Sequence, residues 1–283
     1  MKVLLSIGHG YSARALAPHL LARGWRVIGT TRSPEKAAAL RGEGVEPLIW
    51  DGGDLPLDQA THLLTSVAPG PDGDPVLAAQ HEAIAAAQHL DWVGYLSTVG
   101  VYGDHAGGWV DEATPLSPST ARGQARVEAE AAWGALAAAH GLPLHIFRLA
   151  GIYGPGRGPF EKVRQGSARR IIKEGQVFSR IHVEDIAQVL LASIEAPDPG
   201  AVYNLCDDDP VPPQDVIAYA AELLGLPLPP EVPFDQADLS PMARSFYAES
   251  KRVRNDKIKR DLGISLRYPD YRAGLRAMLD QAG

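Results

Sequence analysis

Apolar positions along the chain fall in short dense runs that alternate with longer stretches of helical spacing. KVLLSI, RVIGTT, VEPLIW, THLLTSV, WVGYLST and PLHIFRL are brief and rich in Val, Ile and Leu, which predicts strands. Between several of them, SARALAPHLLARG and DPVLAAQHEAIAAAQHL carry Ala and Leu at the spacing of one helix face. Strands without polar alternation are covered on both sides, and strand–helix alternation joins parallel strands through crossovers. Right-handed crossovers then predict an α/β protein, a Rossmann-type doubly wound parallel sheet with helices on both faces.

The pattern changes after about Gly154, in GPGRGPFEKVRQGSARRIIKEGQVFSRIH, and again beyond Asp207, where prolines and helices dominate. VEDIAQVLLASIEA and GAVYNLC, between the two, read as one more helix and strand of the sheet. The predicted division is a dinucleotide-binding domain from 1–155 and 179–206, and a smaller substrate-binding domain from 156–178 and 207–283.

Composition narrows the partners. The chain has 283 residues, a formal net charge of −7 and no long basic block, which argues against nucleic acid or a membrane surface and for a small molecule. One cysteine, Cys206, excludes an intrachain disulfide and a multi-cysteine metal site, and no metal is expected. It reads as a buried strand residue. No apolar run approaches a membrane span, and Met1 runs almost directly into KVLLSIG, so a cytoplasmic location is expected.

The first strand enters GHGYSA, which sets Gly8, Gly10 and Ala13 in a GxGxxA arrangement at a helix start. Two glycines let the backbone turn and approach a pyrophosphate, and a small third residue lets helix pack on strand. The helix N-terminus then supplies N–H donors and partial positive charge. A plain glycine turn is the alternative, and the strand–turn–helix setting favours dinucleotide binding. The second strand ends in Thr30, Thr31 and Arg32 with no carboxylate for the ribose hydroxyls. An arginine there suits the 2′-phosphate of NADP over NAD, or is simply a solvated turn residue.

Three further stretches, LSTVGVYG, FRLAGIYGPG and SRIHVEDIA, together with the C-terminal SKRVRNDKIKRDLG, resemble the extended short-chain dehydrogenase/reductase superfamily, and within it the NAD-dependent epimerase/dehydratase family. The resemblance implies that Thr98 takes the catalytic Ser/Thr place, with Ser97 structural. It implies that Ala68 lines the nicotinamide pocket, that Tyr153, Gly154 and Pro155 form the loop over it, and that Asp51 contacts adenine. Members carry YGxSKxxxE on the following helix, where Tyr and Lys share a face. Laid on RGQARVEAE, the glycine and glutamate fall on Gly123 and Glu130, but the tyrosine falls on Arg122 and the lysine on Arg126.

Arg126 keeps the charge and donors needed for the nicotinamide ribose. Arg122 cannot inherit the proton transfer: with a pKa above about 12, deprotonation at neutral pH costs about 7 kcal/mol. It can still stabilise a developing oxyanion. The member is therefore atypical, and Tyr102, Tyr153 and His182 are the alternative acids. A literal YxxxK, Tyr247 to Lys251 in YAESK, lies far downstream and reads as coincidence. Val99 and Gly100 stand where dehydratases carry an acid pair, which disfavours sugar dehydration.

Residues 157–180 hold Arg157, Lys162, Arg164, Arg169, Arg170, Lys173 and Arg180 against Glu161 and Glu174. Either this is a solvated surface, or it concentrates an anionic, nucleotide-sugar-like substrate. The resemblance also implies a homodimer through helices around 75–90 and 119–140. Two functions follow: an atypical NADP-dependent oxidoreductase or epimerase, which the intact Thr98 and nicotinamide loop favour, or a noncatalytic NADP-binding sensor.

Overall fold

A computed structural model describes residues 1–281. Its first half alternates strand and helix: β1 (Val3–Ile7), α1 (Tyr11–Leu21), β2 (Arg26–Thr31), α2 (Pro34–Gly42), β3 (Glu46–Ile49), β4 (His62–Thr65), α3 (Pro75–Ala86) and β5 (Trp92–Thr98). A short β6 (Trp109–Val110) precedes the long α4 (Ala121–His140), then β7 (Leu144–Leu149), β8 (Gly151–Tyr153), α5 (Phe160–Arg164), β9 (Arg170–Ile172), β10 (Arg180–His182), α6 (Val183–Glu195) and β11 (Val202–Leu205). The rest holds α7 (Pro213–Leu223), β12 (Glu231–Pro233), α8 (Pro241–Phe246), β13 (Arg252–Val253), α9 (Asp256–Leu262) and α10 (Tyr271–Asp280).

Seven strands form one sheet in the order β11-β7-β5-β4-β1-β2-β3, and every pairing in it is parallel. All seven runs read as strands from the sequence are in it. Successive residues serve opposite faces: Leu4 packs with Leu16, Leu20, Ile186 and Leu190, while Leu5 packs with Val76, Ile84 and Trp133. That is why these strands carry no polar alternation. Chain order reverses between β1 and β4, and this switch point opens a crevice at the C-terminal strand ends.

A separate apolar cluster joins Phe160, Val163, Val216, Ala220, Tyr271 and Leu275 from α5, α7 and α10. A smaller one gathers Ile171, Ala237 and Tyr247 with Phe178 and Phe234. Ile258 and Leu266, near the chain end, belong instead to the core of the sheet face that carries α1 and α6. β13 pairs with β6, Arg252 opposite Trp109, and so draws the C-terminal segment back across the strand ends. Among the described residues no helix is long and apolar enough to cross a membrane.

Candidate functional site

The crevice is a cavity of about 760 Å³. Its wall begins at the glycine turn with Gly8, Gly10, Tyr11 and Ser12, and continues through Ser66 and Ala68 after β4 to Thr98 at the end of β5. It closes against Val177–Arg180 and parts of 243–253.

The turn is shaped for close approach. Gly8 has φ +73°, and a Cβ there would sit 2.8 Å from Val67 Cγ2. Its N–H donates to Thr30 Oγ1 at 2.7 Å, and the His9 N–H to the Thr30 carbonyl at 3.0 Å, which ties the turn to the end of β2. Gly10 caps α1 without a side-chain hydrogen bond. The first-turn amides of an eleven-residue helix thus face the cavity unclaimed, a donor set suited to a dinucleotide pyrophosphate. Ala13 is fully buried against the sheet and acts as the packing residue of the motif.

His9, between the two glycines, is buried over Gly29, and both ring nitrogens lack partners. Burial lowers its pKa to about 4, with Glu43 opposing and Arg14 adding to the shift. Thr31, Arg32 and Asp51 do not line the cavity. Thr31 Oγ1 accepts from the Ser33 N–H at 3.3 Å, and Arg32 and Asp51 are exposed at the ends of β2 and β3. Arg32 makes no ion pair or side-chain hydrogen bond among the described residues.

Thr98 ends β5, and its Oγ1 accepts from the Gly100 N–H at 3.1 Å, which leaves its proton to donate. Arg126 stays close to it: Nη1 donates to the Leu96 carbonyl at 2.7 Å and to the Tyr95 hydroxyl at 3.1 Å, with other donors left for the cavity. Gly123 allows this approach, since a Cβ there would come 2.8 Å from the Gly100 carbonyl. Beneath lies a buried network. Ser97 donates to Glu130 at 2.5 Å, Glu130 pairs with Arg148 at 2.8 Å, and Arg148 donates to the Tyr102 hydroxyl at 3.0 Å, which in turn donates to Asn204 at 2.7 Å.

Arg122 also lines the cavity, but at its mouth: it is exposed, and its guanidinium lies 4.5 Å from the ring centre of Phe246 in α8. Of the three alternative acids, Tyr102 and Tyr153 have committed hydroxyls, and His182 lies outside the cavity wall with its Nδ1 committed and its buried Nε2 unpartnered among the described residues. Tyr102 is consumed by the buried network and lies outside the cavity wall. Tyr153 lines the cavity, yet its hydroxyl turns to the Asp270 carbonyl at 3.3 Å, and burial first, then Asp207 and Asp185, push its pKa far up. His182 caps α6 by accepting from the Glu184 N–H at 3.2 Å, and burial holds its pKa near 4.

The YAESK stretch departs from expectation. Tyr247, Glu249 and Lys251 all line the cavity, because the β13–β6 pairing returns their segment to the strand ends. Lys251 is spent on the Gly103 carbonyl at 2.6 Å and on Glu249 at 2.5 Å. Tyr247 sits between Phe178 and Phe234, and its hydroxyl has no hydrogen-bond partner among the described residues. The basic segment also disperses: of the seven cations, only Arg157 and Arg180 reach the cavity. Arg170 pairs with Glu231 at 3.0 Å, and Lys173 donates to the Tyr247 carbonyl. Among the described residues no cluster of His, Cys, Asp and Glu could hold a metal.

A parallel sheet in this order, a glycine turn at its switch point and a threonine at the end of β5 define a dinucleotide-dependent enzyme fold of the short-chain dehydrogenase/reductase type. Comparison with known proteins agrees. The profile of the NAD dependent epimerase/dehydratase family matches residues 77–206. Protein YeeZ of Escherichia coli K12 is 31% identical, over 95% of this chain and 97% of that protein. The chain belongs to the NAD-dependent epimerase/dehydratase family.

Among solved structures, a functionally unknown conserved protein from Silicibacter pomeroyi is 64% identical, with TM-score 0.96 over 99% of both chains. The UDP-glucuronic acid 4-epimerase of Bacillus cereus, in complex with NAD, shares the fold at 17% identity, with TM-score 0.77 over 98% of this chain and 97% of that one.

Proposed function

We propose that the protein is an atypical oxidoreductase or epimerase that uses NADP in preference to NAD and acts on a small anionic substrate. The observation that carries this reading is the single cavity, continuous from the uncapped start of α1 past Thr98 to the wall around Tyr247. Gly8, Gly10 and the first-turn amides of α1 would hold the pyrophosphate, Arg126 the nicotinamide ribose, and Ala68 and Tyr153 the ring. Asp51 would reach adenine, and Thr31 with Arg32 the 2′-phosphate. When bound, the cofactor supplies or accepts a hydride at C4 of nicotinamide.

Thr98 donates to the substrate oxygen and orients it. Arg122 offers charge to a developing oxyanion from the mouth, without exchanging a proton. Tyr247 takes the proton-donor role, since it lines the cavity and its hydroxyl has no hydrogen-bond partner among the described residues. Burial raises its pKa while Arg180 opposes the rise, so it is protonated at neutral pH. In the reductive direction Tyr247 would give its phenolic proton to the substrate oxygen, and the resulting phenolate would take a proton back from solvent.

Structural neighbours bind UDP-glucuronic acid and UDP-glucose, and the anionic class here is supported by Arg157 and Arg180. Two halves, 1–155 with 179–206 and 156–178 with 207–283, would carry cofactor and substrate. We place the enzyme in the cytoplasm as a homodimer through α3 and α4. Calorimetry with NADP and NAD tests the cofactor assignment, and loss of reduced-nicotinamide absorbance across carbonyl substrates tests turnover. Heat with neither nucleotide refutes the site.

The Arg122–Phe246 contact favours a second reading, a noncatalytic sensor in which cofactor binding resets α8 for a protein partner. Tight NADP binding without turnover, and a partner retained only with NADP, would select it.

A further inference from the structure

Arg180 is a cavity cation to which the cofactor reading above gives no role. It opens β10 deep among packed atoms, yet part of its surface stays accessible, and it lines the cavity. Nη1 donates to the carbonyls of Phe178 at 2.8 Å and Val211 at 3.2 Å, and its other donors are unclaimed among the described residues. Among the described residues no carboxylate makes an ion pair with it. Asp207 is the carboxylate that bears most strongly on it, and its N–H donates to the Arg180 carbonyl at 2.6 Å, but its buried carboxylate does not reach the guanidinium and its Oδ2 has no partner among the described residues. A deep guanidinium without a counter-ion is costly and calls for an anion.

The surroundings say what the anion is attached to. The guanidinium lies 5.9 Å from the centre of the Phe178 ring, Phe178 meets Tyr247 edge-on at 5.4 Å, and Phe234 backs Tyr247 at 5.1 Å. Such a wall favours a flat apolar body over a polyhydroxylated sugar. Size agrees, because the cavity of about 760 Å³ includes the pyrophosphate turn and the nicotinamide site as well as the substrate's place. That whole volume suits one drug-sized ligand.

We propose that the substrate is a small organic acid with an aromatic or conjugated body, its carboxylate paired with Arg180 and its flat face packed on Phe178, beside the Tyr247 hydroxyl. This deepens the oxidoreductase reading and rests on the cofactor occupying the glycine-turn end.

The test is calorimetry on the full chain saturated with NADP, titrated with cinnamate, cinnamyl alcohol, inorganic phosphate and UDP-glucose. Cinnamate should bind about tenfold tighter than the alcohol, the worth of one charge-assisted pair. Arg180→Met should erase that preference with NADP affinity unchanged, Arg180→Lys should retain part of it, and Phe178→Ala should weaken acid and alcohol alike. Equal affinity for acid and alcohol, a preference that survives Arg180→Met, or tighter binding of phosphate or UDP-glucose overturns the proposal. If Arg180→Met does not fold, the wild-type acid–alcohol comparison and Arg180→Lys still decide. Absence of NADP binding by wild type refutes the cofactor reading instead, and the same titrations on cofactor-free protein then judge Arg180 alone.

Discussion

The two ends of the cavity are built differently. The glycine-turn end is made by adjacent pieces of one sheet: Gly8 is tied to Thr30, Ser66 follows β4, and Thr98 stands on the buried network of Ser97, Glu130 and Arg148. The other end is assembled from Arg122 at the start of α4, Phe178 and Arg180 before α6, and Tyr247 from the C-terminal segment, residues brought together by contacts distant in sequence. A scaffold held by local strand pairing is resistant to change, whereas a wall of returning segments can exchange one proton donor for another. Arg122 at the mouth and Tyr247 in the returning segment are the residues of that wall.

The largest effect should come from the network under Thr98. Glu130→Ala leaves Arg148 buried without its partner, and about 3–5 kcal/mol of stability should disappear. Urea unfolding measures it, and a loss below about 1 kcal/mol would show that this end is no more rigid than the other.

An acid-sensitive contribution should sit at the same end. The pKa of His9 falls from 6.5 unfolded to about 4 folded, so its stability contribution is complete above pH 6.5 and is lost as pH falls from there toward 4. With about 1.4 kcal/mol per unit, the loss approaches about 3 kcal/mol near pH 4. His9→Leu should flatten that part of the pH–stability curve, and an unchanged curve would disprove it.

The glycine turn itself should be decisive for ligand and neutral for fold. Gly10→Asp sets a carboxylate against the pyrophosphate and should weaken NADP binding about a hundredfold, or about 2.7 kcal/mol. Calorimetry reads the affinity, and a thermal melt reads the fold. Arg32→Ser should weaken NADP about tenfold and leave NAD unchanged; equal losses for both would remove the NADP preference.

The smallest effect belongs to the mouth. Phe246→Ala removes the stacking of Arg122 and should cost about 0.5–1 kcal/mol at this exposed site, with NADP affinity intact. A large loss of NADP binding would mean that α8 belongs to the cofactor end after all.

How much was legible follows the same division. The strands could be read because most are short runs dominated by Val, Ile and Leu, although β3 exposes Glu46 and Ile49 and β7 carries His145 and Arg148, and the glycine turn because φ +73° at Gly8 leaves few residue types. Thr98 and Arg126 were singled out by the resemblance of LSTVGVYG and RGQARVEAE to family motifs, and both line the cavity. Tyr102, Tyr153 and His182 were equally visible as candidates, but hydroxyls and ring nitrogens face partners that spacing does not reveal, such as the Asp270 carbonyl. Arg180 was one of seven cations in a basic stretch, with nothing local to separate it from Arg170, which pairs with Glu231.

By itself, then, the chain's order of apolar runs and its short-range motifs determined the parallel sheet and the glycine turn after β1, because strand–helix alternation and backbone geometry fix these. Only the tertiary structure decided that Tyr247 faces the cavity and that Arg180 stands there without a counter-ion. Both depend on which side chains the pairing of β13 with β6 and the packing around β10 leave unsatisfied, and that is a property of contacts between segments far apart along the chain.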